Sequence, residues 1–447
     1  MTINYVTIEK ILNFLDTIEG LNIARKFPNA FIRKSPLNLK NLVKFLIFKE
    51  GKTNQMELYN FFDRIGKSDL VVTKSALSEQ RKKLNYEIFI KLNELLLKAG
   101  YKQKIKTLEG TNLIPVGIDG SVFEVPNIKK VKETFGHSQG TEKSLKTTVA
   151  RAQVSGAYDC LNNVMITSSI NKYNVSEKIL AMEHIIEINK TYPEIFNKIL
   201  FIFDRGYIGI PLLLQLKLFE GNFLFRVSER TYKKEISQMK TCDEEIEIPI
   251  TLARKKNIEE PALRLLAETL SSIKVRVVKI KLDSGETEIL LTNIDKETIS
   301  TEKMKEVYYQ RWNIEKSYDV IKNKLEVENF SGNTELAIQQ DFYAQMFLFN
   351  IMEGIKEEAN QKIKEEKEEK FKTYKYEYII NINILIGVCR RYLLSMLIEN
   401  NHNKKEKIKK EMMDLIKRNL VAVKTGRKNA RQWRRNENNY KPNLRRN

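Results

Sequence analysis

The chain has 447 residues, with 77 Lys or Arg against 57 Asp or Glu and a formal net charge of +20, which is room for two or three domains and a substantial core. With 42% hydrophobic residues the composition excludes a chain too polar to fold, and the cationic excess points to a polyanionic partner, nucleic acid first and an anionic membrane second. No uncharged apolar run of about 18 residues exists, MTINYVTIEK is no secretion signal, and Cys160, Cys242 and Cys389 with His137, His184 and His402 make no zinc spacing, so a reducing cytoplasm and no structural metal are expected.

Residues 1–105 read as helices with short turns. The first clear one covers 36–49, with Leu37, Leu39, Leu42, Val43, Phe45 and Leu46 apolar and Gly51 to stop it. Asn54 and Glu57 resemble a capping box. Thr73 is the expected N-cap of a helix over 74–84 that exposes Arg81, Lys82 and Lys83. Short helices with a basic third member suit a helix-turn-helix-like DNA reader, and equally an ordinary helical bundle with one charged face.

The pattern changes near Asn112. The apolar run 113–118 reads as a strand ending in Asp119-Gly120-Ser121. Two more strands, 146–155 and 164–170, form a hairpin, and 176–189 is an amphipathic helix. A buried-type strand over 199–203 ends in Asp204-Arg205-Gly206-Tyr207, followed by a helix at 211–219 and a strand at 222–227. This order predicts a mixed α/β sheet. The charged stretch from Ser228 to about Glu286 carries Pro249 and Pro261 and reads as a mainly β insertion, with a strand at 274–282 and a turn at Asp283-Ser284-Gly285-Glu286, leading into 288–292.

From about Thr301 the chain reads as one helix without Pro or Gly. Val307, Ile314, Ile321 and Leu325 form its buried stripe. On the same wheel Tyr308, Arg311, Glu315 and Lys322 fall within an arc of roughly 60° at the border of that stripe. A carboxylate so placed can bind a metal and the cations beside it can hold phosphates; a plain Arg311–Glu315 surface pair fits the spacing as well. A turn at Asn329–Asn333 precedes a helix from Thr334. Residues 361–370 suit an exposed helix, and 376–399 one long apolar helix or a pair. From Lys424 onward nine Lys or Arg and only Glu437, with Trp433 and Tyr440 between them, make a tail suited to phosphate backbones or simply to solubility.

Asp119 and Asp204 each follow an apolar strand, so neighbouring strands would bring both to one sheet edge, with Glu315 entering from a helix. Three such carboxylates are a hard-oxygen site suited to magnesium or manganese, and a pair of ions there suits phosphodiester chemistry. Arg205 and Tyr207 could contact DNA, although Tyr207 suits a core or rim as well, and His137 suits a structural or DNA-contact role. Trp312 could stack on a displaced base or pack into the core.

Asp119 in GIDGS, Asp204 in FIFDRGY and the Y-x2-R-x3-E-x6-K set of Tyr308, Arg311, Glu315 and Lys322 resemble the DDE transposases of bacterial insertion sequences, in the branch with the YREK signature and a strand-rich insertion before the Glu. The resemblance runs from about residue 36 to 349. It implies a ribonuclease-H-like core flanked by helices, with a helical N-terminal DNA-binding domain (1–105), a core in two parts (106–228 and 287–360), a β-rich insertion (229–286) and a helical basic C-terminal region (361–447). It further implies Asp119, Asp204 and Glu315 as the metal-binding catalytic triad for two Mg2+ or Mn2+, and Tyr308, Arg311 and Lys322 as holders of DNA phosphates. The implied activity is cut-and-paste movement of the chain's own element: binding of terminal inverted repeats, nicking by water, attack by the freed 3′-hydroxyl and strand transfer, by a homodimer in the synaptic complex, in a bacterial cytoplasm at the nucleoid. The insertion has no Trp, since Trp312 and Trp433 are the only two, so a base-stabilising Trp for a hairpin step is not carried over. A non-mobile nuclease on the same fold and an inert DNA-binding relative are the alternatives.

Overall fold

The computed structural model describes residues 5–103, 105–138, 148–256, 258–282, 284–371 and 376–423, with only the backbone at 367–371. The tail from Lys424, with Trp433 and Tyr440, and the expected places of Lys146 in a strand and Asp283 in a turn lie outside the described residues. The chain forms two compact units, both discontinuous: residues 1–104, 123–152 and 319–447 in the first, and 105–122 and 153–318 in the second.

The second unit is built on a mixed sheet. Its strands are β1 (Ile114–Glu124), β2 (His137–Ser138), β3 (Val149–Asp159), β4 (Val164–Lys172), β5 (Ile199–Phe203), β6 (Asn222–Val227), β7 (Asp243–Pro249), β8 (Ser272–Lys281) and β9 (Thr287–Thr292). The two-residue β2 and the outer ends of β1 and β3 belong to the first unit. Along the sheet the order is β2-β3-β1-β5-β6-β9-β8-β7, with β4 also on β3. This is the mixed α/β sheet expected from the sequence. β5 (ILFIF) is buried at every position because it is central and parallel to both β1 and β6, the setting in which a strand is covered on both faces and needs no polar side.

The insertion does not stand apart: β9, β8 and β7 continue the same sheet antiparallel from β6. The outermost, β7, reads DEEIEIP, and charges along an edge strand disfavour pairing with another chain. One of them is used internally, since Asp243 takes both arms of the buried Arg276 at 2.8 and 2.7 Å.

The sheet positions the functional segment through the helix Thr301–Tyr309. Met304, Val307 and Tyr308, one face at helical spacing, are buried with Leu200, Ile202, Leu224 and Leu290 of β5, β6 and β9. The expected single helix is broken here. Gln310 and Arg311 form a turn, Trp312–Asp319 is a second helix, and Val320–Lys324 is π-helical. The amides of Gln310, Arg311, Asn313 and Ile314 each bond to the carbonyl three residues back, at 3.0–3.2 Å, a tightening that needs no Pro or Gly. The expected core stripe survives the break: Val307, Ile314, Ile321 and Leu325 are all buried.

The first unit is helical. Leu39–Ile47, Asn54–Arg64, Lys74–Arg81 and Glu87–Tyr101 precede the sheet, and Glu87–Tyr101 and Leu39–Ile47 pack on the long helix Glu335–Phe371. Thr73 caps Lys74–Arg81 as expected, accepting from the Ala76 amide. The Asn54–Glu57 capping box does not form; Glu57 instead accepts from the amides of Glu50 and Lys52, the donors the preceding turn leaves unpaired. Arg81, expected on the surface, is buried, because Asp341, Gln340 and the Ala337 carbonyl take its guanidinium. Residues 377–380, expected as helix, are a strand (Glu377–Ile380) paired with Leu420–Val423 before the helix Ile382–Ile398.

Candidate active site

Two neighbouring parallel strands bring the aspartates together. Gly117 of β1 lies opposite Ile202 of β5, so Asp119 and Asp204, two residues further along each, sit at the same level. Asp204 lies just past its strand as expected, whereas Asp119 lies inside β1, which runs on to Glu124. Its backbone is pinned: its carbonyl accepts from the Tyr318 hydroxyl at 2.9 Å and the Ser155 hydroxyl at 3.4 Å. Gly117 is where the Glu-bearing segment touches β1. A Cβ there would meet Ile314 Cγ2 at 3.4 Å and the Arg311 carbonyl at 3.6 Å.

The turn at Gln310–Arg311 swings Arg311 inward. Its side chain is 5% exposed, and its NH1 lies 3.5 Å from Asp119 Oδ2 while its NH2 lies 2.9 Å from Glu315 Oε1. Tyr308, one turn earlier, donates to Asp204 Oδ1 at 3.2 Å, and the guanidinium carbon of Arg311 stands 5.9 Å from the Tyr308 ring centre. Three carboxylates from three separate stretches are thus joined through one guanidinium and one phenol. Burial pushes the Asp119 carboxyl up to about 6; the Gly120 amide and Arg311 pull it down, and Glu315 and Glu177 push it up. Burial also raises the Tyr308 phenol, to about 12, so it is a donor at neutral pH.

The donor set is oxygen only, which fits a hard divalent cation. A cation already sits among these oxygens, namely Arg311, and its buried Nε has no partner. Among the described residues, no three His, Cys, Asp or Glu side chains stand close enough to hold a metal without movement. Arg311 occupies the position between two of the three acids.

The remaining predicted residues are less enclosed. Arg205 is exposed. Trp312 is 46% exposed, with Arg311 5.3 Å from its ring, so the core alternative does not hold. Tyr207 is buried, as one of its two readings had it. His137 is exposed in β2. Lys322 belongs to the first unit, where its Nζ lies 3.6 Å from Glu328 Oε1 and 5.1 Å from the Phe123 ring centre.

Several residues at the site carried no sequence signal. Glu177 opens the helix Glu177–Thr191 after Ser176, where an acid reads as a complement to the helix dipole. Its Oε1 accepts from the buried Gln153 at 3.0 Å. A Cβ on Gly120 would lie 2.6 Å from both groups, so a larger residue would push these two side-chain ends from their present place beside Asp119. Glu288 of β9 is buried, paired with Arg226 at 3.2 Å. Burial raises its carboxyl, Arg226 and Lys305 lower it, and Asp204 raises it further. A cleft of the first unit, about 630 Å³ and lined by Thr53, Asn54, Lys74, Glu124 and Glu328 among others, contains none of the three acids.

Residues 116–351 match the family described as "Transposase DDE domain". Among solved structures, the chain is similar to the piggyBac transposase synaptic complex with hairpin DNA, at 10% identity and a TM-score of 0.42, over 92% of this chain and 82% of that one. No curated protein matches.

Proposed function

The chain belongs to the transposase DDE domain family, and from that premise we propose that it carries out cut-and-paste transposition of its own insertion sequence, in the YREK branch. The observation that carries this reading is the joining of Asp119, Asp204 and Glu315 through Arg311 and Tyr308. Such an arrangement has no evident structural purpose, since taking charges out of water costs about as much as pairing them returns.

Asp119, Asp204 and Glu315 would hold two divalent ions, Mg2+ or Mn2+. Bound there, such ions activate an attacking oxygen and stabilise charge on the phosphoryl and leaving oxygens. The chain's own residues do the rest. Arg311 has a fork that can move from the carboxylates to a phosphate and hold it bidentately, whereas Lys322 offers a point charge. Tyr308 keeps Asp204 oriented by donation. Exposed Trp312 and Arg205 suit contacts with bases and backbone at the DNA end. The helical segment 1–105 and the basic region after 361 would bind the duplex, and a homodimer would pair two element ends, at the nucleoid of a bacterial cytoplasm.

The test is cleavage of a duplex carrying the element's terminal inverted repeats. Cutting at the repeat that requires Mg2+ or Mn2+ and disappears in Asp119→Ala, with binding retained, is expected. Sequence-blind cutting by the unaltered protein would make it a nuclease on the same fold, and tight binding without cutting an inert relative.

A further inference from the structure

Tyr207 is a buried polar residue at the end of the strand that carries Asp204. It is 2% exposed. Its amide bonds to the Asp204 carbonyl at 3.1 Å, closing the turn that ends β5, and its ring leans on Phe203 with centres 5.7 Å apart. The side chain therefore starts at one catalytic strand end. Ile208, the next residue, accepts from Lys178 Nζ at 2.9 Å, which ties this turn to the start of the helix that Glu177 opens, and the charges of Asp119, Glu177 and Arg311 act on the hydroxyl. That hydroxyl is buried and has no hydrogen-bond partner. Leaving a buried hydroxyl unpaired costs about 1–3 kcal/mol, and such groups are normally satisfied by a water or a ligand.

The second acid is itself held in place. Gln153, buried on β3, fixes one oxygen of Glu177 against Gly120. Tyr318, the other phenol here, is committed to the Asp119 carbonyl. A small oxygen species that accepts from Tyr207 and donates to a carboxylate satisfies this group of residues; water does both.

We infer that Tyr207 and Glu177 form the nucleophile subsite of this centre, the Tyr207 hydroxyl donating to the attacking water and the Glu177 carboxylate accepting its proton. In the step so served, the water oxygen bonds to phosphorus as the P–O3′ bond breaks. The water's proton passes to Glu177, and the departing 3′ oxygen takes a proton from solvent. The inference rests on the transposase reading and narrows it: Tyr207 is a positioning residue for hydrolysis, not for strand transfer, where a DNA 3′-hydroxyl brings its own anchored oxygen.

The experiment compares two substrates with the full chain. An intact duplex end reports nicking by water. A pre-nicked end with a free 3′-hydroxyl reports joining to target DNA. Tyr207→Phe keeps the ring and is expected to slow nicking about tenfold, as loss of one hydrogen bond allows, with KM for the intact end and the joining rate unchanged. Glu177→Gln, at an exposed position, is expected to slow nicking at least as much with the same split. Equal slowing of both reactions, or of neither, in the two variants overturns the subsite. If the unaltered protein neither nicks nor joins, the transposase reading itself has failed; if it does both, only the subsite is at stake.

Discussion

Arg311 is the residue on which the centre turns. Its two terminal nitrogens reach different carboxylates, a division of labour that a planar fork permits and a single ammonium does not. Arg311→Lys is therefore expected to leave the fold intact, by circular dichroism, while lowering end cleavage at least tenfold, because one of Asp119 and Glu315 loses its partner. Removing the positive charge has a different effect. In Arg311→Gln the acids repel without a cation between them, so direct titration of Mn2+ in the absence of DNA should give a tighter apparent affinity than in the unaltered protein. Weaker binding would show that Arg311 supports the ion site and does not compete for it. Lys322, on the π-helical segment, is expected to act through charge alone: Lys322→Ala should weaken binding of DNA ends and lower the slope of log affinity against log salt by about 1, read by anisotropy over a salt series.

At the scale of elements, the joint between the helix Lys74–Arg81 and the long helix Glu335–Phe371 is ionic and buried. Asp341 has no exposed surface and is paired with Arg81 and Lys49, both at 3.0 Å, with Ser331 also donating to it. Burial alone would raise its carboxyl; the two cations outweigh that and hold it well below the usual carboxylate range. A depressed folded value means that the contribution to stability is complete above the unfolded value, about 4, and is lost as pH falls below that toward the folded one. Asp341→Asn leaves two buried cations without their anion and is expected to cost about 3–5 kcal/mol at neutral pH. Urea unfolding of the unaltered protein and the variant at pH 7 and pH 3 checks both points: the gap between the two should narrow at the lower pH. The break at Gln310–Arg311 is the other decisive joint. A continuous helix would have kept Arg311 on the wheel edge, half in water, and the turn is what buries it.

At the scale of the whole molecule, charge and topology divide the work. The stretch from Lys424 carries eight of the twenty net positive charges. Its deletion is expected to lower affinity for unrelated duplex DNA and flatten the salt dependence, while cleavage of pre-bound ends persists; binding to random-sequence duplexes at several salt concentrations measures it. Among the described residues no helix is long and apolar enough to cross a membrane. The chain crosses between the two units at residues 104, 122, 152 and 318, and the last three crossings run through a strand, a strand and a helix, where no shift in composition marks them.

Taken alone, the sequence determined the strands that carry Asp119 and Asp204, the mixed sheet they belong to, the buried stripe from Val307 to Leu325 and the candidate acids themselves, since apolar period and strand length are local properties that burial then enforces. It could not determine that Arg311 would be drawn from a helix edge into the space between two acids, that Arg81 would be buried, or that Gln153 and Glu177 would meet beside Gly120. Each of these depends on at least one partner from 24 to 260 residues away, whose attraction for a charged or polar group exists only once the fold has brought them within a few ångströms.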